Sequence, residues 1–197
     1  MALRTFYLRY LNNYSNQIHR DIELQAFRNG KPVYSHFLSF TEAKLRFPEI
    51  FKEPDLHRSI LPNELLLDID EESLIKNIAA AKLIANRLRK LGVPFWLFYS
   101  GNRSIHFTIF LEPCEIPPEL DRRMEKLNFS WYDFRVYLSW RLLGAIKRSF
   151  DIDDLRLKQR RGLIRACGSL NPKGGFYKIF LGTDDVLPTS LKEFKKF

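Results

Sequence analysis

Cysteine is scarce: Cys114 and Cys167 are the only two in 197 residues, far apart and in no CxxC spacing. Neither a disulfide framework nor a cysteine-rich zinc site can be built from them, and a reducing, cytoplasmic setting is expected. No apolar run approaches the roughly 18 residues that a membrane-crossing helix needs, so no membrane association is expected. The start, MALRTFYLRYL, lacks the long apolar stretch and cleavage site of a secretory signal. Repeats, low-complexity segments and Gly/Ser-rich linkers are also missing. The Pro-containing stretches near residues 48–62 and 112–118 read as connections within one domain. What remains, at 45% hydrophobic, is the composition of a globular chain long enough to bury one sizeable core.

Charge is what the chain has in excess. Lysine and arginine total 32 against 23 acidic residues, a net +9. The surplus is densest from Lys147 to Lys178, with RLKQRRGLIR the most basic run. A polyanionic partner is one reading; plain solubility is the other, and charge alone does not choose between them.

The expected architecture is mixed α/β (α+β), one domain over 1–197 with an N-terminal α/β subdomain over 1–62 packed against a second subdomain over 63–197. In the first, IELQAF and KPVYSHFLSF bracket Asn29-Gly30, a pair suited to a tight hairpin turn, and Thr41 is placed to cap a short helix carrying Ala43, Leu45 and Phe47. In the second, ELLLDID reads as a short buried strand. Leu74, Ile78, Ala81, Ala85 and Leu88 recur at the helical period over Ser73 to Leu91, and Gly92 closes that helix. PFWLFYS and SIHFTIFL are two strands joined at Gly101, Asn102 and Arg103. A second amphipathic helix is expected over 131–148, and LIRACGSL with FYKIFL forms a closing strand pair around Asn171 to Gly175. Strand, helix, strand, strand, helix, strand is the ferredoxin-like or RNA-recognition-motif order. In it the first and third strands are central neighbours, and helices leave one sheet face open for a site.

Chemistry concentrates on that face. Asp68 and Asp70 stand two apart on a strand, so both project from one side while Ile69 enters the core. Two adjacent carboxylates repel, and beside LLL that repulsion is costly unless a cation offsets it; hard oxygen ligands at this spacing suit Mg²⁺ or Mn²⁺. The alternative is a strand end whose acids simply meet solvent. On the third strand Ile105, Phe107, Ile109 and Leu111 share one face, leaving His106 and Thr108 on the side of the aspartates. The loop before it offers Ser100, Asn102 and Arg103 as donors suited to a triphosphate, with Gly101 freeing the backbone. A third carboxylate comes from FDIDD: Asp153 is preferred, with Asp151 and Asp154 as alternatives. Farther on, Arg165, Ser169, Asn171 and Lys173 surround a glycine turn and can hold phosphates or a template backbone; read plainly, they are a basic hairpin tip.

In this order LLLDID, YSGNRSIHF and IDDLRLKQRRGLIRACGSLNPKGG resemble the three motifs of the archaeo-eukaryotic primase superfamily, across roughly residues 64–180. The resemblance implies a primase-polymerase fold with an RNA-recognition-like catalytic sheet. It implies that Asp68, Asp70 and Asp153 form a metal-binding catalytic triad for two Mg²⁺ or Mn²⁺ ions, and that Ser100, Arg103 and His106 contact the incoming NTP or dNTP. Arg165, Asn171 and Lys173 would line the same pocket, with Asn102 helping where the family often has arginine. The partners implied are a single-stranded DNA template and a primer; a helicase or a primase accessory domain or subunit outside this chain is a further candidate. Ser104 replaces a glycine common in the second motif, and Asn171 a histidine often found in the last. No cysteine-histidine cluster matches the zinc knuckle of many primase small subunits, so no zinc site is expected and a minimal prokaryotic plasmid, viral or repair-type member is favoured.

Two rivals compete. A haloacid-dehalogenase-type phosphohydrolase also opens on a DxD, with Asp184-Asp185 imitating its late acidic pair, but its chemistry needs a parallel sheet and the strands here fall in hairpins. A non-catalytic RNA-recognition-type module accommodates the charge and topology and leaves the three carboxylates without a task.

Overall fold

A computed structural model of the chain describes residues 22–61, 63–111, 118–153 and 162–183. The chain divides into two compact units, and the first is not contiguous: it joins Met1–Leu61 to Phe98–Asn102 and Leu163–Phe180. The second unit takes Pro62–Leu97, Arg103–Gly162 and Leu181–Phe197. The first change of unit falls between Leu61 and Pro62, and two later segments belong with the N-terminal part.

In the first unit, β1 (Glu23–Arg28) turns through Asn29 (φ 52) and Gly30 (φ 75) into β2 (Lys31–Pro32). Two successive positive φ angles make the tight hairpin turn that Asn-Gly favours. β3 (Leu38–Ser39) pairs with the start of β1 and runs straight into α1 (Phe40–Leu45). The cap is Ser39, whose hydroxyl accepts from the Glu42 N–H, and not Thr41, which already lies inside the helix; a cap needs the extended backbone that Ser39 has (φ −63, ψ 153).

The stretch expected to be a mere connection instead holds a 3₁₀ helix (Pro48–Lys52) and β4 (Asp55–Ser59). β4 is internal to its sheet, between β1 and β9 (Leu163–Arg165). It escapes a pattern search because Arg58, formally its most polar residue, is 1% exposed. The sheet order is β2-β1-β4-β9, with β3 also on β1.

The second sheet has the order β10-β6-β7-β5-β8, built from β5 (Glu64–Ile69), β6 (Trp96–Tyr99), β7 (Ile105–Phe110), β8 (Ile152–Asp153) and β10 (Ile179–Thr183). β5 is antiparallel to both its neighbours, β7 and β8. Counted in chain order, β5, β6, β7 and β8 lie as fourth-first-third-second, so the expected adjacency of first and third strands is present. The fourth place, however, belongs to the two-residue β8. LIRACGSL and FYKIFL do not both join this sheet: β9 joins β4 in the other sheet, and the two segments meet at the bridge Leu170–Tyr177 and through the Gly168 N–H to the Lys178 carbonyl (2.7 Å) and the Lys178 N–H to the Ser169 carbonyl (2.8 Å).

α2 (Leu74–Lys90) begins at Ser73, whose hydroxyl accepts from the Lys76 N–H, and buries Leu74, Ile78, Ala81, Ile84, Ala85 and Leu88. The charged α3 (Pro118–Lys126), which carries no apolar period to announce it, precedes α4 (Trp131–Leu143). α4 starts with a reciprocal Ser130–Asp133 capping box and stops at Gly144 (φ 56), where α5 (Ala145–Ser149) begins; the helix expected over 131–148 is therefore two. Arg87 Nε donates to the Leu142 carbonyl at 3.1 Å, tying α2 to α4. β5 is buried along its whole length, and its apolar side continues into β7 through the pairs Leu65–Ile109, Leu67–Phe107 and Ile69–Ile105.

Candidate active site

The polar residues of β5 and β7 form one face by register. Asp68 stands directly opposite His106 on one side and Asp153 on the other, so three side chains from three strands make a single cross-strand row. His106 Nε2 lies 3.1 Å from Asp68 Oδ1, with both side chains only 5% exposed. The face expected to lie open is thus closed at its centre, and Asp153 is half-buried. One step up the same face Thr108 Oγ1 donates to Glu64 Oε1 at 3.1 Å, with Glu64 fully buried. Glu64 was missed as a polar member of this face, although the alternation Glu64, Leu66, Asp68 carries the signal.

Asp70 follows the end of β5 and is half-exposed. Its Oδ1 accepts from Arg103 Nε at 3.2 Å and from Ser104 Oγ at 3.0 Å. Ser104, a departure from the motif, supplies a hydroxyl that a glycine would lack. The donor chemistry suits a hard divalent cation, since Asp68 and Asp153 face each other across adjacent strands and a cation between carboxylates relieves their repulsion. Among the described residues no three His, Cys, Asp or Glu side chains already converge as a metal-holding group, and Arg103 and Ser104 engage Asp70. Asp154 lies outside the described residues, as do Asp184, Asp185 and Cys114. The antiparallel neighbours of β5 also separate this site from the parallel sheet of the phosphohydrolase rival.

Four of the expected phosphate contacts meet in the first unit, where the loop Ser100–Asn102 packs on the hairpin Asn171–Phe176. Asn171 Nδ2 donates to the Ser100 carbonyl at 3.3 Å, and its Oδ1 accepts from the Lys173 N–H at 3.1 Å. The Asn171 N–H donates to the Phe176 carbonyl at 2.8 Å, closing the hairpin. Two glycines make the packing feasible. A Cβ on Gly101, already at φ +84, would stand 2.3 Å from the Phe176 carbonyl oxygen; one on Gly174 would stand 2.1 Å from the Gly101 carbonyl oxygen and 2.6 Å from Asn102 Cα. Tyr99 secures the loop from beneath, its hydroxyl donating to the Asn102 carbonyl at 2.6 Å. Asn171 here is a staple between backbones, and Lys173 is exposed.

Ser169 and Arg165 both bond to β4 and the residue before it. The Ser169 hydroxyl accepts from the Leu56 N–H at 2.8 Å and donates to the Pro54 carbonyl at 3.0 Å, and the residue is fully buried. Its polarity is spent holding β4. Arg165 Nε donates to Asp55 Oδ1 at 2.9 Å, across from His57 in register.

No protein-family model matches the chain, and no curated protein matches it in sequence. Among solved structures it is similar to the polymerase domain of Mycobacterium tuberculosis Ligase D in complex with DNA, at 11% identity and a TM-score of 0.47, over 85% of this chain and 76% of that one.

Proposed function

We propose that the chain is a template-dependent nucleotidyltransferase that makes or extends primers on single-stranded DNA. The observation that carries this reading is the cross-strand row of His106, Asp68 and Asp153, with Asp70 and its Arg103 at the strand end. In the reaction a 3′-hydroxyl attacks the α-phosphorus of an incoming nucleotide: the O3′–P bond forms, the bond to the bridging oxygen breaks, and pyrophosphate leaves with the hydroxyl proton passing to solvent. Asp68 and Asp153, joined by Asp70, would hold Mg²⁺ or Mn²⁺, which supplies charge stabilisation to the attacking and leaving oxygens.

The chain's own groups do the rest. His106 stands beside the Asp68 carboxylate, Nε2 3.1 Å from Oδ1, and both side chains are buried, so it is placed to influence how that carboxylate meets a cation. Arg103, half-exposed on Asp70, offers its guanidinium to a triphosphate that competes with that carboxylate. Lys173, exposed on the hairpin of the first unit, offers an ammonium group to an anion there.

The test is incorporation of labelled nucleotides on single-stranded DNA, with and without primer, in Mg²⁺ or Mn²⁺. Template-dependent products that vanish in Asp68→Ala/Asp70→Ala support the reading, and products without primer add initiation. A folded chain that binds DNA yet makes no product, or a double variant as active as the parent, supports a binding module instead.

A further inference from the structure

β8, over its described residues Ile152–Asp153, presents Asp153 opposite Asp68. What fixes it lies one step farther along. The pairing Asp68–Asp153 and Ile69–Ile152 continues to Asp70 and Asp151, where the Asp70 N–H donates to the Asp151 carbonyl at 3.1 Å. The Asp151 N–H turns instead to the side chain of Glu71, donating to Oε1 at 2.7 Å. The Glu71 carboxylate thus serves as the acceptor on the far side of the pair, extending the grip of β5 on β8 by one residue.

Glu71 is in turn held by Asn77, which is fully buried inside α2 among apolar neighbours. Its Oδ1 accepts from the Glu71 N–H at 3.1 Å, while Nδ2 donates to the carbonyls of Glu71 (3.1 Å) and Ser73 (3.0 Å). An amide so placed rigidifies the loop 70–73 on both sides of Glu71.

We infer that Glu71 and Asn77 are positioning residues, a latch that runs from α2 through Glu71 to Asp151 and keeps Asp153 opposite Asp68. This rests on the nucleotidyltransferase reading for its consequence in catalysis, though not for its structural content. The test compares Glu71→Ala with Glu71→Gln, since a glutamine carbonyl can still accept from the Asp151 N–H while carrying no charge. Three readouts are taken on the full chain: hydrogen exchange of the Asp151 and Asp153 amides by NMR, Mn²⁺ binding, and primer extension resolved into kcat and KM for nucleotide.

In Glu71→Ala the two amides lose protection while α2 keeps its own. Mn²⁺ affinity and kcat fall on the order of 10- to 100-fold, with KM for nucleotide nearly unchanged. Glu71→Gln retains most of all three. Equal damage to Mn²⁺ binding in both variants, with the Asp151 amide still protected, would make Glu71 a charged contact to the ion and overturn the latch; so would amide protection unaltered in Glu71→Ala. If the parent chain extends no primer, the functional reading fails, and the exchange measurement still decides the latch.

Discussion

His57, on β4, sits in a cluster of charges: Nε2 is 2.9 Å from Asp55 Oδ1, the Phe27 ring packs edge-on at 4.9 Å, and Arg165 and Lys178 add positive charge. Burial, seconded by those cations, holds its pKa below the ordinary histidine value despite the pull of Asp55. Burial also pushes the Asp55 carboxyl up, but the hydrogen bonds from His57 and Arg165 outweigh it and leave the net shift downward. Both groups therefore bind protons more readily in the unfolded chain. The His57 contribution to stability is present above the unfolded histidine pKa of about 6.5 and is lost as pH falls below it; that of Asp55 persists until far more acid conditions. Urea denaturation is expected to show lower stability at pH 5.5 than at pH 7.5, and a smaller difference in His57→Gln; an identical difference would contradict this assignment. Cys167 gives a second check. Burial pushes its thiol up to about 11, so iodoacetamide at neutral pH is expected to modify it only when the protein opens, as peptide mass spectrometry before and after denaturant would reveal.

The two glycine turns at Gly30 and Gly101 differ sharply in their surroundings. Gly30 and Gly101 both adopt positive φ, but an added Cβ meets nothing within 4 Å at Gly30 and a backbone oxygen at 2.3 Å at Gly101. Gly30→Ala is expected to cost about 1–2 kcal/mol, the left-handed backbone penalty alone. Gly101→Ala is expected to cost roughly 3 kcal/mol or more and to disorder the contact with Asn171–Phe176; equal losses in thermal denaturation would mean that the two loops are not packed as described. At this scale the sequence was legible where period and chemistry agreed. The two-residue alternation put Asp68 and His106 on one face, Asn-Gly marked the first hairpin, and the apolar stripe of α2 stood out. β4 stayed hidden because its core face includes an arginine. The bonds of Ser169 to Leu56 and Pro54 and of Arg165 to Asp55 were not legible, because side-chain type does not reveal which neighbouring strand a hydroxyl or guanidinium meets.

Across the whole molecule, the proposed function assigns the net +9 to contact with the phosphate backbone, independently of base sequence. Affinity for single-stranded DNA is expected to fall about 10-fold or more between 50 and 200 mM salt, and Lys173→Ala to reduce the slope of log K against log salt by about one. A slope near zero would show that the surplus charge serves solubility alone. The central claim, that the row across β7, β5 and β8 is the catalytic centre, is tested most directly by single-turnover primer extension in Asp153→Ala beside Asp151→Ala. Asp151 meets its neighbours through main-chain groups that alanine retains, whereas Asp153 is the residue opposite Asp68. Asp153→Ala is predicted to lose roughly a thousandfold in rate while Asp151→Ala stays within a few-fold of the parent; an active Asp153→Ala, or equal loss in both, would contradict the account.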